Sequence, residues 1–296
     1  MDQIQLINLL KSNNLINPKK AKTVLSIHEK TGKGVGRILF EKRYLNEKKL
    51  YKYIQKEYGI NQEEFKNSGP NYDILGITLP KFGVSGDFFG FFPLEDGKVA
   101  VTLSDVSGKG LEAGLLALVL SNMLRDMKMG SIIPSMIMKQ INQVSIDFFT
   151  DMQFATFIVL ILDTYSGTVE FCGAGSPPIL VYRYKKNQIE EIHPKGIPVG
   201  IEHDYVFSQS RFELEKGDTI LMFTDGAYEC QNWSKEFYGM KRIHEVYLAH
   251  ARLPLKKLLK KFISQLRWFT FFKSRNDDTT YVAIQRRRIK KKRVRK

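Results

Sequence analysis

Apolar and polar residues along this chain follow two periods, and each period predicts a different element. From residue 73 onward, short apolar runs typical of strands alternate with longer segments whose apolar residues recur at helical spacing. The run KVAVTLS at 98–104 predicts a strand, and residues 111–127 predict a helix that is apolar on much of its surface. Residues 255–269 predict an amphipathic helix with lysines on its polar side. The mixture predicts an α/β or α+β fold for this part of the chain.

The first 60 residues contain an internal repeat at an offset of 29 residues. In each copy an amphipathic stretch ends in a polar turn, and a second helix starts at Asn17-Pro18 or at Asn46-Glu47. We therefore predict a small, duplicated helical domain over 1–66 and a linker containing Gly-Pro over 67–72. The aligned pairs are Leu9 with Ile38, Leu10 with Leu39, Leu15 with Tyr44, Ile16 with Leu45, Asn17 with Asn46, Ala21 with Leu50, Val24 with Tyr53, and Leu25 with Ile54.

The formal net charge of +15 comes from the two ends of the chain. Residues 1–68 hold 14 basic and 7 acidic residues, whereas residues 286–296 hold nine basic residues and no acidic one. The basic tail, 287–296, is either solvated or a weak attachment to an anionic membrane or to nucleic acid. The lysines of 255–269 leave a similar choice between the solvated face of a domain helix and a membrane-surface role. The net charge therefore gives information about binding partners rather than about a chemical reaction.

Cysteine content and hydropathy limit the class of protein. The two cysteines, Cys172 and Cys230, lie far apart without metal-ligand spacing, so a disulfide framework and a zinc site are not expected. The first residues lack a basic segment and a cleavage site, and the longest apolar run, 155–162, is too short to span a bilayer. We expect a cytoplasmic protein, at most peripheral at a membrane.

Four aspartates lie at the edges of predicted strands. Asp87 follows a glycine turn just before a strand, and Asp105 ends the strand at 98–104. Asp225 follows the apolar run at 219–224, and Asp277 precedes the run at 280–284. A single aspartate in such a place often only caps a turn, but four of them indicate a shared site.

The chemistry of these four residues favours a hard metal ion. Since the five histidines fall outside these turns, the implied site is formed by oxygen ligands, which Mg²⁺ and Mn²⁺ prefer. Converging carboxylates repel one another without cations, so two divalent ions are expected, and their natural substrate is a phosphate ester. Lys109 lies in Gly-Lys-Gly and is either a phosphate-orienting residue or a solvated residue at a helix start. The spacing excludes a P-loop.

The ordered blocks GDFF, SDVSGKG, CGAGSPP, GIPVG, LEKGDTI, FTDGAYE and DDTTYV resemble the metal-dependent (PP2C-like) protein phosphatases, in their bacterial SpoIIE/RsbU-type branch. The resemblance covers about residues 70–286, with the phosphatase domain itself at 73–286, and implies an α+β fold, an α-β-β-α sandwich with two Mn²⁺ or Mg²⁺ ions at one edge. It implies that Asp87 and Asp105 are the ligands around the metal-bridging water, and that the backbone carbonyl of Val106 completes the shell of the first metal. Asp225 and Asp277 would hold the other metal. Asp278 is expected to support the ligands or shape the turn.

The same resemblance implies a protein serine/threonine phosphatase in which a metal-bridged hydroxide attacks phosphorus directly. Its substrate would be a phosphorylated signalling protein, such as an anti-sigma-factor antagonist in a partner-switching system. Two positions depart from the branch pattern, namely Gly90 and Ser176. They leave open an alternative, a catalytically weak receptor or scaffold whose N-terminal domain senses a nucleotide or a protein.

The predicted N-terminal domain resembles the duplicated N-terminal module of type II secretion ATPases. Some members of that family bind cyclic di-GMP through an Arg-Leu-Gly opening in each copy. Here the matching triplets are Gln5-Leu6-Ile7 and Gly34-Val35-Gly36, which lack the arginines. Cyclic di-GMP binding is therefore not expected, and a docking, regulatory or dimerisation role is favoured.

Overall fold

The computed structural model describes residues 3–33, 35–45, 65–68, 71–81, 85–108, 111–126, 133–149, 153–271 and 276–288. Eleven strands lie within these segments. In chain order they are β1 (Phe65–Ser68), β2 (Tyr72–Leu79), β3 (Asp87–Pro93), β4 (Lys98–Val106), β5 (Ala155–Asp163), β6 (Thr168–Ala174), β7 (Ile179–Arg183), β8 (Gln188–Ile192), β9 (Gln209–Glu213), β10 (Thr219–Phe223) and β11 (Thr279–Arg286).

The strands form two antiparallel sheets. The first has the order β1-β2-β11-β10-β7-β8, and the second has the order β3-β4-β5-β6-β9. Side chains alternate between the two faces of a strand, so on β4 Val99, Val101 and Leu103 point into the space between the sheets. There they meet Ile220 and Val282 of the first sheet. The predicted strands at 98–104, 219–224 and 280–284 are confirmed, with ends that differ by up to two residues.

Seven α-helices lie within the described residues, and the last four of them cover the outer faces of the two sheets. The seven are α1 (Gln3–Ser12), α2 (Pro18–Thr31), α3 (Val35–Glu41), α4 (Leu111–Asp126), α5 (Pro134–Phe148), α6 (Gly239–His250) and α7 (Leu255–Phe269). Helices α4 and α5 pack on the second sheet, and α6 and α7 pack on the first. The predicted α-β-β-α sandwich is therefore confirmed.

The amphipathic pattern of α7 places the helix on its sheet. Leu258, Phe262 and Leu266 are buried against that sheet, whereas Lys256 and Lys260 are exposed. The helix thus buries its apolar side in the protein. None of the described helices is long and apolar enough to cross a membrane.

The N-terminal helices follow the first half of the predicted repeat. The Asn17 side chain caps α2 by accepting from the Lys20 N–H at 2.8 Å, and Pro18 occupies the first turn, as predicted. Helix α3 lies where the repeat predicts the first helix of the second copy. The following helix, starting at Asn46-Glu47, falls outside the described residues.

This N-terminal unit packs directly on the sandwich. Helix α3 contacts α4, and buried residues of the unit, including Leu10 and Leu39, belong to the same apolar cluster as Leu115 of α4. Residues 67 and 68, which the sequence assigns to a linker, instead belong to β1 and pair with Ile74 and Asp73. Strand pairing here satisfies backbone groups that a free linker would leave to water.

Candidate metal centre

The four predicted aspartates lie at one edge of the sandwich, two from each sheet. Asp87 begins β3 and is directly opposite Asp105, near the end of β4. Asp225 opens a short 3-10 turn, 225–227, after β10, and Asp277 lies two residues before β11. Strands β10 and β11 are paired, so Asp225 and Asp277 lie close to the same end of that strand pair. Stacking of the sheets then brings the two pairs together.

Asp87 is the most deeply buried of the four, with 1% of its surface exposed. Its Oδ2 accepts hydrogen bonds from the hydroxyls of Thr224 and Thr280, both at 2.7 Å. These two threonines belong to the other sheet. The hydrogen bonds therefore link the sheets at the proposed metal edge.

Asp278 holds the backbone that leads into Asp87. Its Oδ1 accepts from the Lys81 N–H at 2.7 Å, and its Oδ2 accepts from the Gly86 N–H at 2.8 Å. One buried carboxylate thus fastens both ends of the segment between Lys81 and Gly86. This geometry agrees with the expectation that Asp278 shapes a turn.

The carboxyl groups at this edge form an acidic cluster in which two pKa values are raised. Burial, followed by repulsion from Asp225 and Asp277, raises the pKa of Asp105 to about 8. Burial, together with Asp105 and Asp278, also raises the pKa of Asp87 well above its usual value, although the Thr224 and Thr280 hydroxyls oppose the shift. A nearby cation would reverse both shifts because it favours the charged carboxylates.

The donor set fits hard divalent cations in chemical kind. The Asp105 carboxyl lies near enough to those of Asp87, Asp225 and Asp277 for all three to influence its pKa. Carboxylate oxygens are the ligands that Mg²⁺ and Mn²⁺ prefer. Within the described part of the chain, however, no three Asp, Glu, His or Cys side chains already stand in a complete metal-binding arrangement. The assignment of the four aspartates as metal ligands is therefore a proposal.

Three other predicted positions can also be located. The Val106 carbonyl lies against Gly86, where an added Cβ would come within 2.9 Å of that oxygen. The Ser176 hydroxyl donates to the Phe157 carbonyl at 2.6 Å, so it is bonded to the backbone of β5. Gly90 lies on the edge strand β3 and pairs with Thr102 of β4. Lys109 lies outside the described residues.

Sequence reasoning missed the threonines that surround Asp87. Thr224 and Thr280 contact Asp87 directly, and Thr78 of β2 lies 2.9 Å from the Thr280 hydroxyl. A signal was present, since Thr224 precedes Asp225 and Thr280 follows shortly after Asp277. Nothing in the sequence shows that their hydroxyls turn toward a carboxylate on the other sheet.

Gly226 allows the two halves of the site to approach. A Cβ at this position would lie 1.8 Å from the Asp278 carbonyl oxygen, a backbone atom that cannot rotate away. We expect Gly226→Ala to displace the Asp225 turn, to lower the unfolding free energy by about 1–3 kcal/mol, and to weaken Mn²⁺ binding. Thermal melts and calorimetric Mn²⁺ titration measure the two effects. Gly239→Ala is the control for destabilisation alone: its φ of 79° strains an alanine although the methyl group meets nothing within 4 Å, so it should lower stability without moving the Asp225 turn. Unchanged Mn²⁺ binding in Gly226→Ala would contradict the prediction.

Comparison with known proteins places the sandwich in a family. The family model described as Stage II sporulation protein E (SpoIIE) matches residues 95–287, well over half of the chain. Phosphoserine phosphatase RsbU of Bacillus subtilis (strain 168) is 26% identical over 217 residues, covering 73% of this chain and 63% of RsbU. This chain thus corresponds to less than two thirds of that relative's length.

Solved structures agree on the fold. A structure of the RsbU and RsbW domains of a Mycobacterium tuberculosis protein is similar with a TM-score of 0.65 at 26% identity, covering 74% of this chain and 60% of that one. The PP2C phosphatase domain of SpoIIE from Bacillus subtilis, with a fragment of its regulatory domain, gives a TM-score of 0.63 at 19% identity. It covers 81% of this chain and 75% of that one.

The family match starts at residue 95, so residues 1–66 lie outside it. The resemblance of those residues to the type II secretion ATPase module is not supported by these matches. For the sandwich, the order of the motifs, the edge at which the aspartates meet and the family match agree. The chain belongs to the Stage II sporulation protein E (SpoIIE) family.

Proposed function

We propose that this protein is a metal-dependent protein serine/threonine phosphatase that hydrolyses phosphoserine or phosphothreonine on a signalling protein. The observation that carries the proposal is the meeting of Asp87, Asp105, Asp225 and Asp277 at one edge of a SpoIIE-family sandwich. An acidic edge with raised carboxyl pKa values is suited to divalent cations, and two such cations suit phosphate esters.

Two groups of residues would hold the ions. Asp87 and Asp105 of one sheet, with the Val106 carbonyl, would hold one ion, and Asp225 and Asp277 beside the other sheet would hold the second. Bound Mn²⁺ or Mg²⁺ would neutralise phosphoryl oxygens and activate a water molecule. The carboxylates keep the ions in place, and Asp278 holds the backbone before Asp87 in position.

The cysteines are unsuited to covalent catalysis. Cys172 and Cys230 are the chain's two cysteines, and each has only 1% of its surface exposed. Burial raises the pKa of Cys172 to about 12, so its thiolate form is scarce at neutral pH. This supports direct hydrolysis over a phosphocysteine route.

The direct test is phosphate release by the purified protein with Mn²⁺ and a phosphoserine-bearing protein. By the resemblance to RsbU-type enzymes, we propose an anti-sigma-factor antagonist or a similar partner-switching protein as substrate. Release should require Mn²⁺ or Mg²⁺ and should stop in excess chelator. No release from any phosphorylated candidate at saturating Mn²⁺ would favour the alternative of a receptor or scaffold.

We further propose that residues 1–66 form a regulatory, docking or homodimerisation domain rather than a cyclic di-GMP receptor. The support is the contact of α3 with α4, a helix that begins five residues after Val106. The packing of α3 on α4 is thereby linked to the end of β4, where Asp105 and Val106 lie. We also propose a cytoplasmic location and a weak attachment of the tail 287–296 to anionic membranes or nucleic acid.

Loosening this contact should lower activity. We expect Leu39→Ala, at a fully buried position of α3, to reduce phosphate release about fivefold because α4 loses support. Leu266→Ala is the matched control, since it shortens a buried leucine of α7, the helix layer on the other side of the sandwich. Initial rates are measured below both melting temperatures. Equal rate losses in the two variants would show a general stability effect and contradict a regulatory contact.

A further inference from the structure

Three threonines form a buried hydroxyl cluster behind Asp87. Thr224 and Thr280 each donate to Asp87 Oδ2 at 2.7 Å, and the hydroxyls of Thr78 and Thr280 lie 2.9 Å apart. None of the three has more than 2% of its surface exposed. A site so dry makes each hydrogen bond to a charged oxygen stronger than it would be in water.

The backbone settles which way the Thr224 proton points. The Thr280 N–H donates to Thr224 Oγ1 at 2.9 Å, so this oxygen already acts as an acceptor. The single hydroxyl proton of Thr224 is then directed to Asp87 Oδ2. When Thr280 donates to the same oxygen, its own Oγ1 can accept from Thr78. All donors therefore run toward one carboxylate oxygen.

We infer that Thr224 and Thr280 are positioning residues that fix the Asp87 carboxylate for the cation. A carboxylate oxygen has two lone pairs, and two hydroxyl donors fill both on Oδ2. The second oxygen is left for the cation or for a water molecule in its shell. Thr280 lies on β11, and Thr224 directly follows β10. The two hydrogen bonds therefore also link the orientation of Asp87 to the sheet that carries Asp225.

The inference rests on the proposed metal centre and adds to it the residues that orient one ligand. Partners of metal ligands commonly change metal affinity or activity by 10- to 100-fold when removed. The same hydrogen bonds also connect the two sheets. A purely structural role would therefore lower stability without a specific loss of Mn²⁺ affinity. The hydroxyl and the side-chain shape must therefore be tested separately.

The test compares Thr224→Val and Thr280→Val with Thr224→Ser and Thr280→Ser in the full-length protein. Valine keeps the shape and removes the hydroxyl, whereas serine keeps the hydroxyl. Thr219→Val is the matched control, because Thr219 is equally buried at the opposite end of β10. Mn²⁺ dissociation constants are measured by calorimetry, and phosphate release is followed as a function of Mn²⁺ concentration.

We expect each valine variant to bind Mn²⁺ about 10-fold more weakly, and the serine and control variants to stay within about threefold of the wild type. The Mn²⁺ concentration for half-activation should rise with the dissociation constant, while kcat at saturating Mn²⁺ changes less. Wild-type Mn²⁺ affinity in both valine variants, or equal losses in the valine and serine variants, would overturn the inference.

The calorimetric readout separates this inference from the proposed activity. If the wild type binds Mn²⁺ but releases no phosphate, the proposed function fails while the binding comparison still decides the role of the threonines. If the wild type binds no Mn²⁺, the metal centre and the positioning role are both overturned. Should Thr224→Val fail to fold, Thr280→Val decides alone, because its backbone N–H bond to Thr224 remains.

Discussion

Replacing Asp105 by Asn is expected to reduce metal-dependent phosphate release by about 100-fold or more. Asp105 is directly opposite Asp87 in the strand register, and the charges of Asp225 and Asp277 act on its carboxyl, so it occupies the centre of the proposed ligand set. Asparagine keeps the size of the side chain but removes its charge and one acceptor oxygen. We expect weaker cation binding together with an intact fold. Initial rates of phosphate release over a range of Mn²⁺ concentrations measure the effect.

Asp96→Asn is the matched control for this loss. Asp96 is an exposed residue of the turn before β4, and its positive φ of 55° is one that Asn tolerates well. The same chemical change should therefore leave activity within about twofold of the wild type, as is usual for surface positions. Full activity in Asp105→Asn would remove Asp105 from the metal centre and would contradict the proposed mechanism.

Removing divalent cations is expected to destabilise the protein, and to do so more strongly as the pH rises from about 4 to 8. Without a cation, the Asp105 pKa is about 8 in the folded protein, whereas an unfolded aspartate has a value near 3.8. The folded state therefore holds more protons between these values, so the unfolding free energy falls as the pH rises through this window. Asp87 contributes in the same direction because burial and its acidic neighbours raise its pKa.

The expected size of the effect is a few kcal/mol. A shift of four pKa units limits the Asp105 contribution to about 5 kcal/mol, and relaxation of the carboxyls reduces it. Cation binding opposes the loss, adding about 2.7 kcal/mol at a free Mn²⁺ concentration 100 times the dissociation constant. Protons compete with the cation at low pH. The stabilisation by Mn²⁺ should consequently be larger at pH 8 than at pH 5.

Thermal melts followed by circular dichroism at pH 5, 6.5 and 8, in chelator and in Mn²⁺, measure this dependence. Asp105→Asn supplies the internal check. In chelator it should be more stable than the wild type at pH 8, because it removes the buried charge, and it should show a weaker dependence on pH. A wild-type melting temperature in chelator that is constant from pH 5 to 8 would contradict the acidic cluster described here.

Much of the site was accessible from the order of motifs along the chain. Asp87, Asp105 and Asp225 each stand where an apolar run meets a glycine turn, and strand ends of this kind can be recognised locally. The orientation of each carboxylate could not be recognised in this way. Asp87 is held by residues 137 and 193 positions away, and these partners come close only when the sheets stack.

The boundary of the N-terminal unit shows the same limit. The helix start at Asn17-Pro18 was predictable because capping involves neighbours a few residues apart. Pairing of residues 67 and 68 with β2, and packing of α3 on α4, depend on surfaces contributed by distant segments. The Gly-Pro pair at 69–70 therefore suggested a linker, although the strand β1 ends immediately before it.

The sequence by itself determined the alternation of strands and helices, the apolar side of α7 and the four acidic strand ends. Those properties arise from local periodicity and turn chemistry, which act over a few residues. Only the tertiary structure decided that both sheets bring their acidic ends to one edge and that threonines of one sheet orient an aspartate of the other. Such contacts form when apolar faces are buried together, because burial, rather than sequence proximity, selects which distant polar groups must satisfy one another.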